Sequence, residues 1–364
     1  MQGDIGLLVL DSAEKLGSRI DQILSEWRGG ENPRIQVECP RFSSGEAKCI
    51  IRESVRDLDV YILVDVCNHS LTYRMFGETN HMSPDDHYQD LKRVIAACNG
   101  KAKRITVIMP FLYEGRQHRK TTRESLDCAL MLRELESMGV HSLITFDAHD
   151  PRMQNVVPLM SMENVSPALQ FTQALLTEYE DLVLDGDHLM FIAPDEGATE
   201  RAIFLASLFE VSLGMFYKRR DYTRIVNGSN PVIAHDFLGG SLEGKDVVVC
   251  DDMIASGGSM LDTARQLKEM GAKRVFLFST FGLFTSGLEK FDKAYAAGWF
   301  DRVFTTNLVY QTPELLQREY YYSVHIDRYI AALIDTLNRG GSIHDLTKPA
   351  KRIRRMVELF KGEE

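Results

Sequence analysis

Val247-Val248-Val249-Cys250-Asp251-Asp252-Met253-Ile254-Ala255-Ser256-Gly257-Gly258-Ser259 is the stretch on which the reading of this chain turns. Residues 247–250 read as a short buried strand, and the two carboxylates are expected to end it abruptly. A loop of small residues follows, and residues 260–267 read as a helix. Strand, acidic pair, Gly/Ser loop and helix start together suit a phosphorylated sugar. Free N–H groups at a helix entrance cradle phosphate, and Ser256 and Ser259 add hydroxyl donors. Gly257 and Gly258 would let the backbone approach closely, since no Cβ intrudes. Asp251 and Asp252 can accept hydrogen bonds from vicinal ribose hydroxyls or hold a metal through water. A βα turn that merely contains glycines is the plainer alternative. Neither a Walker loop nor a dinucleotide fingerprint fits, because no Gly-Lys-Ser/Thr or G-x-G-x-x-G closes the loop.

At 364 residues the chain is long enough for two domains. A formal charge of −10 argues against general nucleic-acid binding, which needs a strong basic surface. Six cysteines lie scattered without C-x-x-C spacing, so neither a zinc knuckle nor a disulfide framework is expected. No run approaches 18 apolar residues and no charged leader precedes a long apolar stretch, so the expectation is no membrane span and a cytoplasmic protein.

Apolar β-type runs alternate with helical segments at residues 60–66, 104–110, 142–147, 189–193, 211–217, 247–250, 274–280 and 302–306. That alternation predicts βαβ units and mainly parallel sheets. An internal echo supports two tandem α/β domains. Leu126-Asp127-x-Ala129 leads through a helix to Met138-Gly139 and a strand, and Leu261-Asp262-x-Ala264 leads likewise to Met270-Gly271 and a strand. The expected division is 1–160, 161–340 and a basic C-terminal helix or tail at 341–364, read as a solvated face or subunit contact.

The first copy lacks the acidic Gly loop. In its place stands Tyr113-Glu114-Gly115-Arg116-Gln117-His118-Arg119-Lys120-Thr121-Thr122-Arg123, beyond a strand's carboxyl end, where α/β sheets place ligand groups. Arg and Lys there suit a polyphosphate, although a solvated charged loop reads the same way. Asp147-Ala148-His149-Asp150, Pro194-Asp195-Glu196-Gly197 and Tyr217-Lys218-Arg219-Arg220 also follow strands. Any one of these could be surface decoration.

With those motifs and Arg41-Phe42-Ser43-Ser44-Gly45-Glu46, the chain resembles the ribose-phosphate diphosphokinases, or phosphoribosyl pyrophosphate synthetases, over most of residues 40–340. The resemblance implies two tandem type I phosphoribosyltransferase-like α/β domains with mainly parallel sheets. It also implies transfer of the diphosphoryl group of Mg-ATP to the C1 hydroxyl of ribose 5-phosphate. Carried over by residue, Asp251 and Asp252 would hold the ribose hydroxyls, and Ser256, Gly257, Gly258 and Ser259 the 5-phosphate. Arg116 and Gln117 would contact ATP, and Phe42, Ser44 and Glu46 would form an adenine pocket supplied to a neighbouring subunit. His149 and Asp195 would hold Mg²⁺, and Lys218 and Arg220 would be the catalytic cations of a mobile loop. A homo-oligomer is implied, dimer-based and extending to a hexamer.

The departures point to a divergent member. The family loop usually reads Asp-Asp-x-x-Asp-Thr-x-Gly-Thr; here Ala255 replaces the third acid, and Ser256 and Ser259 replace the threonines. His118 stands where Asp is common, Ser44 where Asp or Asn is usual, and residues 67–87 lack the run Asn-Asp-Asn-Leu-Met-Glu-Leu. Two rival readings stay open: a phosphoribosyltransferase, and a non-catalytic regulatory subunit of the same family.

Overall fold

The structure, a computed structural model, describes residues 4–220 and 232–362, apart from the side chains of residues 218–220 and 232–235. The chain divides into two compact units. The first comprises Met1–Pro167, Asn307–Tyr310 and His325–Lys348; the second comprises Ala168–Thr306, Gln311–Val324 and Pro349–Glu364.

In the first unit six strands are defined: β1 (Ile5–Val9), β2 (Arg34–Ile35), β3 (Asp59–Leu63), β4 (Arg104–Ile108), β5 (Ser142–Phe146) and β6 (Ser161–Val165). They form one parallel sheet in the order β6-β5-β4-β3-β1-β2. Every residue of β1 and β3 is buried, as expected where both faces of a parallel sheet are covered. Two short hairpin ladders, Val37–Glu38 with Ile50–Ile51 and Thr72–Met75 with Glu78–His81, stand outside this sheet.

The second unit holds β7 (Leu189–Ala193), β8 (Ser212–Arg220), β9 (Val232–Leu238), β10 (Asp246–Ile254), β11 (Arg274–Gly282), β12 (Arg302–Thr306) and β13 (Tyr321–Val324). Their order is β9-β8-β7-β10-β11-β12-β13, and only β8 and β9 run antiparallel.

All eight expected strands are present, and the internal echo is structural. The helices α1 (Asp127–Ser137) and α2 (Gly258–Glu269) end alike, with Gly139 (φ 85°) and Gly271 (φ 93°) left-handed just past Met138 and Met270. In each, a residue beyond the glycine closes the last turn: Val140 N–H donates to Leu135 O at 3.1 Å, and Ala272 N–H to Leu267 O at 3.1 Å.

Two expectations need correction. Strand β10 does not stop at Cys250: it pairs with β11 as far as Ile254 opposite Gly282, so Asp251 and Asp252 lie inside the strand. The other concerns residues beyond 306, which alternate between the units and do not follow a boundary at 340. Their partners explain why. The helix Asp327–Asn338 belongs to the first unit, where Asn338 Nδ2 donates to Asp59 Oδ2 at 3.0 Å and Arg28 Nη2 to Asp335 Oδ1 at 2.7 Å. The helix Ala350–Lys361, expected as a solvated face or subunit contact, buries Ile353 and Val357 and packs on helices Ala168–Glu178 and Thr199–Phe209 of the second unit. Its exposed basic residues cover an apolar stripe.

Among the described residues, no helix is long and apolar enough to cross a membrane. All six cysteines are free thiols.

Asp59 anchors the first sheet. It accepts from Arg104 Nε at 2.8 Å, from Tyr61 Oη at 2.8 Å and from Asn338. Burial pushes this carboxyl up, but hydrogen bonds from Arg104, Asn338 and Tyr61 outweigh it and hold it below the ordinary carboxylate range. A depressed carboxyl pKa stabilises the fold above the unfolded-state value and loses that contribution as pH falls through the folded one. Asp59→Ala is therefore expected to lower unfolding free energy by about 3 kcal/mol at neutral pH. Urea titrations should show the gap to wild type shrinking as the pH drops through the carboxylate range.

Candidate active site

In the second unit, the pleat sends Asp251 and Asp252 to opposite faces of β10. Asp252 is buried, with Oδ2 at 3.8 Å from Arg201 Nη2. Arg201 lies on the helix Thr199–Phe209 and also donates to Gly197 O at 3.3 Å. Asp195 precedes that helix, and its Oδ1 accepts from Gly197 N–H at 3.0 Å. Burial raises the Asp251 carboxyl well above the ordinary range; the charges of Asp252 and Asp195 add to that, and Arg201 only partly offsets them. Three carboxylates and one guanidinium thus share one electrostatic neighbourhood at the carboxyl ends of β7 and β10. The sequence reading missed Arg201. Its position six residues after Asp195, in the first turn of the following helix, is the signal that could have found it.

The loop after β10 is set by backbone bonds. Leu283 N–H donates to Ile254 O at 2.9 Å and Thr285 N–H to Ala255 O at 2.9 Å. Gly257 caps α2 at φ 78°, and a Cβ there would stand 2.3 Å from the Phe291 ring. Gly258 carries no such demand, since a Cβ would meet only Ser256 Oγ at 4.0 Å. Close approach therefore belongs to Gly257 alone. Ser256, Gly258 and Ser259 are exposed where a twelve-residue helix begins, and the first N–H groups of a helix have no acceptor within the helix itself. Lys218 and Arg220 run along β8 opposite His235 and Val232 of β9; their side chains lie outside the described residues.

In the first unit, the turn after β5 presents His149 to solvent. It contains Asp147 at φ 39°, a strained conformation for a non-glycine residue. The basic loop after β4 comes beside it: the rings of His118 and His149 lie 5.3 Å apart, and His118 Nε2 is 3.7 Å from Asp150 Oδ2. Arg116 and Gln117 are exposed next to this histidine. Hydrogen bonds from Arg152, aided by its charge and that of His118, hold the Asp150 carboxyl down to about 2, against a smaller effect of burial. His118 and Asp150 had no assigned role from sequence, yet they tie the basic loop to the His149 turn.

Phe42, Ser44 and Glu46 sit on a tight turn braced by a different element. Phe42 N–H donates to Glu46 O at 2.7 Å, and Ser44 Oγ to Glu46 Oε2 at 2.8 Å. Phe76 N–H, from the hairpin Thr72–His81, donates to Ser43 O at 3.0 Å. Phe42 is 52% exposed. The turn's foot is fixed by Arg41, which makes a two-pronged ion pair with Asp90 at 2.7 and 2.8 Å, both side chains buried.

Residues 5–139 match the family model of the N-terminal domain of ribose phosphate pyrophosphokinase, and residues 168–305 match that of the phosphoribosyl transferase domain. A ribose-phosphate pyrophosphokinase of Ralstonia nicotianae is 31% identical over 252 residues, covering 68% of this chain and 70% of that protein. One from Mycoplasma pneumoniae is 30% identical over 275 residues, 74% of this chain and 75% of that protein.

The chain belongs to the ribose-phosphate pyrophosphokinase family.

A solved phosphoribosylpyrophosphate synthetase from Mycobacterium smegmatis shares the fold with a TM-score of 0.75 at 22% identity, over 93% of this chain and all of that one. The expected pair of phosphoribosyltransferase-like domains with mainly parallel sheets is therefore present in this pyrophosphokinase family member.

The two loop glycines separate under substitution. Gly257→Ala is expected to cost about 2 kcal/mol through strain and overpacking against Phe291. Gly258→Ala should stay within about 0.5 kcal/mol of wild type. Thermal unfolding of both variants checks this.

Proposed function

We propose that this chain transfers the diphosphoryl group of ATP to the C1 hydroxyl of ribose 5-phosphate, giving 5-phosphoribosyl 1-diphosphate and AMP. The observation that carries the reading is the strand-borne acid pair of β10, running directly into a glycine-capped helix start. Family membership joins it. On this reading the N–H groups and hydroxyls of Ser256, Gly257, Gly258 and Ser259 take the 5-phosphate, and Asp251 and Asp252 the ribose hydroxyls. A ligand hydroxyl donating to Asp251 would relieve part of the carboxylate crowding there. Arg116 and Gln117 take the phosphates of ATP, and the turn of Phe42, Ser44 and Glu46 its adenine.

The sugar, held at its phosphate and its diol, presents the C1 oxygen to the β-phosphorus, and the bond to the oxygen bridging α and β breaks as AMP leaves. Lys218 and Arg220 offset the charge that builds on the transferring oxygens. The oxygen donors of Asp195, Asp251 and Asp252, with more negative charge than Arg201 neutralises, fit a hard divalent cation such as Mg²⁺. Among the described residues no three His, Cys, Asp or Glu side chains enclose a metal by themselves, and Mg²⁺ sites commonly add water and substrate phosphates as ligands. His149 and Asp195 are the residues proposed as Mg²⁺ contacts, directly or through water. Bound Mg²⁺ would supply charge neutralisation on the phosphate oxygens.

A homo-oligomer forms part of the proposal, supported by the exposure of Phe42 on a turn assigned to a neighbouring subunit's nucleotide. So does a cytoplasmic setting, supported by six cysteines in the thiol form. Ala255 in place of the family acid favours a second reading, a regulatory subunit without turnover. Purified protein given Mg-ATP and ribose 5-phosphate is expected to release AMP and phosphoribosyl diphosphate, with no AMP when the sugar is omitted. Lys218→Ala and Arg220→Ala should each lower turnover about 100-fold or more while leaving the melting temperature unchanged. Nucleotide binding without sugar-dependent AMP would replace this function with the regulatory one.

A further inference from the structure

Cys39 and Cys49 flank the turn of Phe42, Ser44 and Glu46, and the register of that hairpin sets them face to face. Val37 pairs with Ile51, Glu38 with Ile50 and Arg41 with Ala47. One register accounts for all three pairs, and in it residue 39 is opposite residue 49. The hydrogen bonds show which kind of row this is. Arg52 N–H donates to Gln36 O at 3.0 Å, Lys48 N–H to Pro40 O at 3.3 Å and Phe42 N–H to Glu46 O at 2.7 Å. The even-numbered positions of the first strand therefore make the hydrogen-bonded rows, and Cys39 and Cys49 occupy a non-hydrogen-bonded row. Such rows bring opposed Cα atoms to about 4.5 Å, with side chains on the same face. That spacing lies inside the range a disulfide spans.

We propose that Cys39 and Cys49 are a redox site, closed to a disulfide by a small-molecule disulfide such as oxidised glutathione, and that the crosslink preorganises the adjacent turn for nucleotide. The second half rests on the reading of that turn as an ATP contact.

The chemistry assigns the order of steps. The closeness of the two thiols lowers Cys49 and raises Cys39; burial and the charge of Asp90 oppose the lowering of Cys49, and Arg93 adds to it. Cys49 is then the attacking thiolate. Its sulfur bonds to one sulfur of oxidised glutathione, the glutathione S–S bond breaks, and one glutathione thiolate leaves with a proton. Cys39, deprotonated in turn, attacks the Cys49 sulfur of the mixed disulfide and expels the second glutathione. Two protein thiols are oxidised and one glutathione disulfide is reduced to two thiols. Access is available, since both cysteines are half-buried and Cys39 lines a cavity of about 500 Å³ in the first unit. The other thiols make internal controls: burial pushes Cys98 up to about 11 and Cys128 up to about 12, and raises Cys67 as well.

The full chain is incubated in glutathione buffers from fully reduced to fully oxidised, alkylated and cut with trypsin. Cleavage after Arg34, Arg41, Lys48 and Arg52 places Cys39 in fragment 35–41 and Cys49 in fragment 49–52. The expected product is these two fragments joined and two hydrogens lighter than their sum, lost on adding dithiothreitol and missing from Cys39→Ser and Cys49→Ser. ATP titrated calorimetrically into the oxidised protein should bind about two- to fivefold more tightly than into the reduced protein, because an ordered turn has less freedom left to lose. The double variant Cys39→Ser/Cys49→Ser should show one affinity in both buffers. Both thiols remaining alkylatable in oxidised glutathione alone, or linkage to other cysteines instead, would overturn the site. A joined pair with unchanged ATP affinity overturns the preorganisation. Absence of sugar-dependent AMP formation counts against the proposed function only, because the peptide map and the titration are read without turnover.

Discussion

The parallel pairing of Asp246–Ile254 with Arg274–Gly282 is the constraint on which the second unit's site depends. Had the ladder ended at Cys250, the acid pair would hang on a loop with its own freedom. Pairing continues instead through Asp251 opposite Ser279, Met253 opposite Phe281 and Ile254 opposite Gly282. Both carboxylates therefore ride on sheet backbone. Alternation then divides their environments: Asp252 goes inward toward Arg201, and Asp251 faces the other side, crowded by its neighbours' charge. The loop starts from a fixed point, and the segment 283–285 holds that point by three backbone bonds to Ile254 and Ala255. Gly257 completes the geometry, because Phe291 occupies the space any side chain would need.

An acidic protein that is to bind polyanions must concentrate its cations and its free N–H groups. At −10 overall, long-range attraction cannot do this. The chain solves the problem locally. In the first unit the segment after β4 gathers Arg116, Arg119, Lys120 and Arg123 in an exposed loop, and His118 and Asp150 fasten that loop to the turn of His149. In the second unit the positive end is a helix start rather than a basic loop, and Arg201 is a cation beside the acids. Three carboxylates gathered near a helix start are a poor place for phosphate alone. They become a good one when a hard cation or sugar hydroxyls come with it.

Eight strands and the duplication were legible because they rest on local signals: unbroken apolar runs, and glycines that must end helices left-handed. Three of the strands beyond those eight lack such signals. Ser161–Val165 carries Ser, Glu and Asn in five residues, Arg34–Ile35 is two residues long, and Val232–Leu238 includes His235 and Asp236 in an antiparallel pairing that the parallel pattern did not suggest. The allocation of residues beyond 306 was invisible for another reason. It depends on pairs such as Asn338 with Asp59 and Arg28 with Asp335, separated by hundreds of residues, and no local pattern encodes a distant partner. Of the site, sequence found the acids and basic segments but not Arg201 or the His118–Asp150 link. A single charged residue on a helix carries no mark of what it faces. Strand length was misjudged at Asp251 for a related reason: carboxylates look like loop residues until a paired neighbour supplies the ladder.

Ala255 is the departure most able to undermine the functional reading, and the structure bears on what its loss of a carboxylate does. The backbone there is held by its own carbonyl, which accepts from Thr285 N–H, and by the neighbouring bonds to Ile254. A side chain at residue 255 is therefore not what shapes the loop. The left-handed turn rests on Gly257, and the helix start on α2 itself. What an alanine changes is charge. Asp251 already suffers from Asp252 and Asp195, and one more carboxylate close by would deepen that penalty. Removing it leaves Ser256, Ser259 and the helix N–H groups facing less repulsion for an anion. The substitution therefore leaves the proposed grip on phosphate intact. Any deficit it causes would fall on the chemical step.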